Sequence, residues 1–204
     1  GGCAIGTRPV DLHLFALKKI GANIKIKNGY IIAEAKKGLH GAKIKFPSIS
    51  VGATENALIA ACGATGKTIL QNCAIEPEVK DLVLFLKKIG FRIKISGRTI
   101  LIFGGNFSNK KVYHKIIFDR IEAGTYLIAG VLIGKKLVLR QINPKILKKE
   151  INILKRMGAI IKIKKNTIVI LKSKQLKKIN ISTQPYPGFP TDLQAQLMVL
   201  MTQA

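Results

Sequence analysis

Hydrophobic positions along the chain change period in a regular order. Over LKKIGANIKI (residues 17–26) an amphipathic run with apolar positions three or four apart ends at a glycine, and alternation of isoleucine and lysine follows at once. The same succession returns in LKKIGFRIKI (86–95) and LKRMGAIIKI (154–163), which sets Gly21, Gly90 and Gly158 69 and 68 residues apart. An apolar helical face that closes on glycine predicts a left-handed C-cap, and the alternation predicts a strand with one face in solvent. The chain therefore reads as a helix-to-strand unit present three times.

Short alternating segments follow each unit: YIIA then AKIKF, TILIF then KIIF, TIVIL then INIS. A second helix comes next, opened by SVGATENALIAACGATG, by DRIEAGTYLIAGVLIG and by GFPTDLQAQLMVLM. Two of these helices, 56–66 and 123–134, are apolar nearly all round, which predicts that sheet covers them on several sides. Their openings at Ser50, Asp119 and Pro187 occupy equivalent places in the repeat, each with Ser, Thr or Asp near a helix start. The Asp119 to Glu122 spacing has the form of a capping box. Two readings stand side by side: the openings are caps and nothing more, or the helix N-termini converge on an anionic ligand.

Composition narrows the classes. The 204 residues, 48% of them hydrophobic, suffice for one large or two small domains with a real core. Cys3, Cys62 and Cys73 fit neither a disulfide framework nor a zinc-ligand spacing, so a reducing, cytoplasmic compartment is expected. Uncharged runs such as 123–134 and 193–204 are too short to cross a membrane. The chain carries no signal peptide and no initiator methionine; it opens inside a motif and stops inside an apolar helical run, so we expect a piece of a longer protein whose N- and C-terminal parts are missing. The net charge of +25 invites a nucleic-acid partner. Yet 29 of the 35 basic residues are lysines, set in alternation with isoleucine where a strand turns them to water, and aromatic residues make up only 6%. The charge reads as a solvated face, with no nucleic acid and no membrane as partner.

Five stretches then carry a resemblance that spans the chain: GGCAIGTRPVDLH at the start, SVGATENALIAA at 50–61, EPEVKDL at 76–82, DRIEAGTYLIAG at 119–130 and YPGFPTDLQAQ at 186–196. In this order and at this spacing they resemble the UDP-N-acetylglucosamine 1-carboxyvinyltransferase family, the enolpyruvyl transferases that begin peptidoglycan precursor synthesis and serve cell wall biogenesis, cell shape and division. The resemblance implies an α/β fold made of inside-out α/β barrels of repeated helix-sheet units, in two domains with the active site between them. Residues 1–117 would be part of the first barrel domain and carry a cysteine lid; residues 118–204 would open the second and carry a catalytic aspartate. The implied reaction transfers the enolpyruvyl group of phosphoenolpyruvate to the 3'-hydroxyl of UDP-N-acetylglucosamine and releases phosphate, by addition and elimination. No metal or other cofactor is implied.

Residue by residue, Cys3 matches the family's loop cysteine, a proton donor able to form a covalent adduct and the target of the epoxide antibiotic fosfomycin. Read alone, it could as well be a small buried hydrophobe, although the surrounding glycines suit a mobile loop better. Arg8 matches a phosphate-contacting arginine, whose planar fork grips phosphate in two places. Pro9, Val10, Asp11 and Leu12 match the segment that cradles the nucleotide sugar, and Ser48, Ile49, Ser50 and Val51 match a second one. Some members have lysine where Ser48 stands, so one contact is weaker here or supplied elsewhere. Asp192 matches the aspartate that accepts the proton of the sugar hydroxyl; on residue type alone it could merely complement a helix dipole. Glu76, Asp119, Arg120 and Glu122 are expected as supporting contacts or hinge ion pairs. His13, His40 and His114 share no metal or triad spacing and read as structural. Other family functional residues have no counterpart in the chain, so these 204 residues alone are expected to be inactive. Two competing readings remain: a relative of 5-enolpyruvylshikimate-3-phosphate synthase, against which the glycine-flanked cysteine argues, and a basic RNA-binding protein that kept the fold without the chemistry.

Overall fold

The computed structural model describes residues 9–105, 111–173 and 175–204. Contacts divide the chain into two compact units, Gly1–Lys115 and Ile116–Ala204.

In the first unit, helix α1 (Asp11–Lys19) leads into the hairpin β1 (Asn23–Lys27) and β2 (Tyr30–Glu34), and then into β3 (Lys43–Lys45). Helix α2 (Val51–Cys62), β4 (Gly66–Gln71) and α3 (Pro77–Ile89) follow, and the hairpin β5 (Arg92–Ser96) and β6 (Thr99–Gly104) completes the unit. The main sheet has the order β3-β4-β6-β5, antiparallel except for the β3–β4 pair, while β1 and β2 pair only with each other. The second unit repeats the later part of this plan. Helix α4 (Arg120–Ile133), β7 (Leu137–Arg140), α5 (Lys148–Arg156), β8 (Ile160–Lys164) and β9 (Thr167–Leu171) form the sheet β7-β9-β8, and a 3-10 turn (Thr191–Leu193) runs into α6 (Gln194–Met201). The last strand of one sequence repeat thus joins the hairpin of the next, so the packed units straddle the sequence repeats.

All three repeat glycines close their helices in the same way. Their φ angles are +102° at Gly21, +121° at Gly90 and +99° at Gly158. In each, the glycine N–H donates to the carbonyl three residues back and the next N–H to the one five back: Ala22 to Leu17 at 3.0 Å, Phe91 to Leu86 at 3.2 Å, Ala159 to Leu154 at 2.9 Å. This is the Schellman arrangement, which gives acceptor groups at the helix end their partners and turns the chain straight into a strand.

Alternation places Ile93 and Ile161 in the two cores, with Arg92, Lys94 and Lys162 in water. The next isoleucines, Ile95 and Ile163, lie toward the hairpin tips and are exposed. In the first core Ala53, Ala57, Leu58 and Ala61 of α2 meet Leu70, Ile100 and Ile102 of the sheet, with α1 and α3 alongside. In the second, Leu127, Ile128 and Val131 of α4 meet Ile168 and Ile170, flanked by α5 and α6.

Three expectations change. Sheet covers one face of α2 and α4 and helices flank them, but Ile59, Tyr126 and Ile133 remain exposed, so the cover is less complete than uniform apolarity predicts. The segments KIIF and INIS form no strands, because among the described residues neither has a sheet partner; KIK at 43–45 is a strand because β4 offers it a parallel edge. The third apolar helix starts later than Pro187. Pro187 and Pro190 disfavour helical backbone in the residues before them, so the chain turns through 184–190 and enters the 3-10 turn at Thr191.

Candidate functional site

Two predicted substrate segments come together in the first unit. Pro9, Val10 and Asp11 are exposed at the entry to α1, whose N-cap residue Val10 makes no side-chain cap bond. Ser48 and Ile49 lead to Ser50, the N-cap of α2, whose Oγ accepts from the Ala53 N–H at 3.3 Å. The two openings are neighbours because α1 packs on α2. Asn56 Nδ2 and His13 Nδ1 are 3.2 Å apart, and a β-carbon on Gly52 would lie 3.2 Å from His13 Cε1. His13, on the first turn of α1, therefore reaches both the first and second turns of α2.

Ser50 is held from below as well. The buried Thr54 donates its hydroxyl to the Ser50 carbonyl at 2.7 Å and accepts the Ala74 N–H at 3.1 Å, tying the start of α2 to the loop before α3. First-turn N–H groups lack intrahelical acceptors and carry the positive end of the helix dipole. Two such ends side by side make a notch of N–H donors of the kind that binds anions, with the Asp11 carboxylate at the same entry.

Glu76 has a different setting. It is the N-cap residue of α3, 4% exposed, and its charge with that of Glu78 adds to burial in raising the pKa of Glu55 on α2. It lies in the interior of the first unit.

In the second unit Asp119 caps α4, its Oδ1 accepting from Ile121 N at 2.7 Å and Glu122 N at 3.1 Å. Glu122 is exposed on the first turn. Arg120 points inward and is only 8% exposed, with its guanidinium 5.9 Å from the Tyr186 ring centroid. It faces the charge of Glu150 on α5, whose pKa is raised by burial and lowered in part by its own backbone N–H, Arg120 and Lys149. Asp192 is exposed on the 3-10 turn, next to the fully buried Leu193. Since Pro190 is the N-cap residue there, Asp192 sits inside the first turn and not at a capping position equivalent to Ser50 and Asp119.

Cys3 and Arg8 lie outside the described residues. Cys62 and Cys73 are buried, and burial pushes their thiols up to about 11 and about 12. The histidines make structural contacts: His40 packs over Gly21, and His114 Nε2 lies 3.1 Å from Asp81 Oδ2 with its ring against Phe85. No group of three or more His, Cys, Asp or Glu side chains among the described residues could hold a metal ion. No described helix is long and apolar enough to cross a membrane.

Sequence reasoning did not find the His13–Asn56 bridge, which joins residues 43 apart with no motif between them. Glu150 did leave a signal: it stands three residues after Leu147 and four before Leu154, both buried, so helical periodicity puts a carboxylate on the core face.

Comparison with known proteins is consistent across the chain. The UDP-N-acetylglucosamine 1-carboxyvinyltransferase of Pelagibacter ubique (strain HTCC1062) is 60% identical over 205 residues, covering 100% of this chain and 49% of its own length. The protein of the same name from Endomicrobium trichonymphae is 49% identical over 201 residues, covering 98% and 48%. The chain thus spans about half the length of the curated relatives it matches. Among solved structures, the enolpyruvyl transferase NikO from Streptomyces tendae superposes with a TM-score of 0.80 at 22% identity, over 98% of this chain and 50% of that one. An EPSP synthase from Acinetobacter baumannii does so with a TM-score of 0.61 at 23% identity, over 99% and 46%. The α/β fold is therefore that of the enolpyruvyl transferases. Residues 1–204 match a single family model throughout, and the chain belongs to the EPSP synthase (3-phosphoshikimate 1-carboxyvinyltransferase) family.

Proposed function

We propose that the protein of which these residues form a part transfers the enolpyruvyl group of phosphoenolpyruvate to the 3'-hydroxyl of UDP-N-acetylglucosamine, releasing phosphate in the cytoplasm as the first committed step of peptidoglycan precursor synthesis. The observation that carries this reading is the 60% identity, along the whole chain, to a protein named for that transfer. The neighbouring N-termini of α1 and α2 support it, since a nucleotide sugar brings a diphosphate to such a notch.

In this reading residues 1–117 belong to one inside-out barrel domain and 118–204 open a second. Pro9 to Leu12 and Ser48 to Val51 hold the nucleotide sugar, and Arg8 meets phosphate. Asp192 takes the proton of the 3'-hydroxyl as its oxygen bonds to C2 of phosphoenolpyruvate, while Cys3 gives a proton to the methylene carbon C3. The tetrahedral intermediate then loses a proton from C3 and expels phosphate, which restores the double bond. Asp119 and Glu122 support the site from the start of α4, and Arg120 and Glu76 do so from the interior.

The test is phosphate release by the full-length protein with each acceptor in turn. Release that requires UDP-N-acetylglucosamine, is blocked by fosfomycin and falls at least a hundredfold in Cys3→Ser is the expected result. Release that requires shikimate 3-phosphate instead, or no release at all, overturns the assignment.

A further inference from the structure

Asp192 is exposed on a three-residue turn, yet a proton acceptor has to be held within a fraction of an ångström of its partner. What holds it is on α4. Leu193, the next residue, is fully buried, and its Cδ1 lies 2.5 Å from where a β-carbon on Gly124 would stand, with Cδ2 at 3.2 Å and Cγ at 3.4 Å. The leucine thus fills the space that the absent side chain of Gly124 leaves open. One helical turn further on, Gln196 Nε2 donates to Thr125 Oγ1 at 3.0 Å, and the same hydroxyl donates to the Ile121 carbonyl at 2.9 Å. Leu197 and Leu200 continue the buried stripe along α6.

Resting on the reading of Asp192 as the proton acceptor, we propose that Gly124 and Thr125 are positioning residues for it: a socket and a hydrogen bond on α4 that fix the height and the rotation of the turn bearing the carboxylate. Neither touches substrate. Two anchors are needed because a socket alone lets a short helical segment rotate about it, and a single hydrogen bond lets it slide. The device also puts Asp192 in a set relation to Asp119 and Glu122, since all three then hang on one helix.

A methyl group at position 124 drives Leu193 off its seat. Leu193 is fully buried and three of its carbons crowd that position, so turning one methyl aside does not relieve the clash, and the displacement passes to the neighbouring Asp192. In the full-length protein, Gly124→Ala is expected to lower kcat roughly 10- to 100-fold, the loss that a misplacement on the order of 1 Å brings, with KM for both substrates within about threefold of wild type. Shortening the leucine in the same chain, Gly124→Ala with Leu193→Ala, removes the collision but leaves the Thr125 bond as the one remaining anchor, so it is expected to recover part of kcat while the melting temperature falls further. Inactivation by fosfomycin, which needs the thiol and no proton acceptor for a sugar, is expected at the wild-type rate in Gly124→Ala.

Should Gly124→Ala not fold, the hydrogen-bond arm carries the test: Thr125→Val lowers kcat about 3- to 10-fold with KM unchanged, and Thr125→Ser, which keeps the hydroxyl, does not. A kcat within twofold of wild type in folded Gly124→Ala or Thr125→Val, or a double variant as slow as the sum of its single changes, overturns the positioning role while the wild type still turns over. A wild type that transfers nothing overturns the functional reading, and the role of Asp192 with it.

Discussion

The repeat places the same backbone demand at Gly21 and Gly158 but gives the two glycines different neighbours, which allows strain and contact to be separated. Both close a Schellman motif, at φ +102° and +99°. An alanine there pays about 1–2 kcal/mol for a left-handed backbone whichever helix it ends. The new methyl at position 21 would meet the ring of His40 at 2.5 Å, but His40 is exposed and can swing away. At position 158 it would lie 2.9 Å from the backbone carbonyl oxygen of Gln175, in a segment held over the helix end by the Lys177 N–H bond to the Met157 carbonyl at 2.8 Å. Backbone cannot rotate out of the way, and overpacking of this kind adds about 1–3 kcal/mol. Gly21→Ala is therefore expected to cost about 1–2 kcal/mol and Gly158→Ala about 2–5 kcal/mol. The readout is hydrogen exchange at the amides of Ala22 and Ala159, which close the two motifs. Protection at Ala22 should drop roughly 5- to 30-fold, and protection at Ala159 should drop at least fivefold further. Equal losses in the two variants would refute the contact argument. A gain of about 0.4–1 kcal/mol, which Gly→Ala brings where the backbone is permissive, would refute the conformational one.

Three further outcomes follow from other sites. Lys165 holds φ +41° in the two-residue turn between β8 and β9, where its counterpart between β1 and β2 is Asn28 at +51°, so Lys165→Asn should stabilise by about 0.5–1 kcal/mol; an unchanged or lower urea midpoint would count against it. Burial raises the pKa of Glu150, so the folded protein binds more protons than the unfolded one between pH 4.5 and that raised value, and stability drops as pH climbs through this window. Glu150→Gln should remove that slope and melt higher than wild type at neutral pH; parallel melting curves against pH would refute it. Cys62 and Cys73, with thiols pushed up to about 11 and about 12, should resist alkylation in the native protein while the Cys3 peptide is labelled; modification of either buried thiol before unfolding would overturn the assignment.

Most of the fold was legible because its signals are local. Helix periodicity ending at Gly21, Gly90 and Gly158, and the isoleucine–lysine alternation after each, are dictated by where a side chain must point and by the residue that most readily accepts a positive φ. Helix openings at Ser50 and Asp119 were equally plain, since each supplies its own cap acceptor. The opening placed at Pro187 failed because two prolines outweigh an apolar pattern, and KIIF and INIS failed because a strand needs an edge to pair with, which alternation alone does not supply. Lysine content, the most conspicuous bulk property, said little about function: on β5 and β8 the lysines face water beside buried Ile93 and Ile161.

The sequence by itself determined the repeat, the helix ends, the class of fold and the family, through short-range sterics and motifs whose spacing survives in one dimension. Only the tertiary structure decided which residues meet. That His13 bridges to Asn56 and Gly52, that Arg120 turns inward to Tyr186, and that Leu193 fills the space over Gly124 are relations between residues 39 to 69 apart in the chain. Such pairings depend on how helices pack on a sheet and on each other, and packing is set by the shapes of surfaces that form only once the chain has folded.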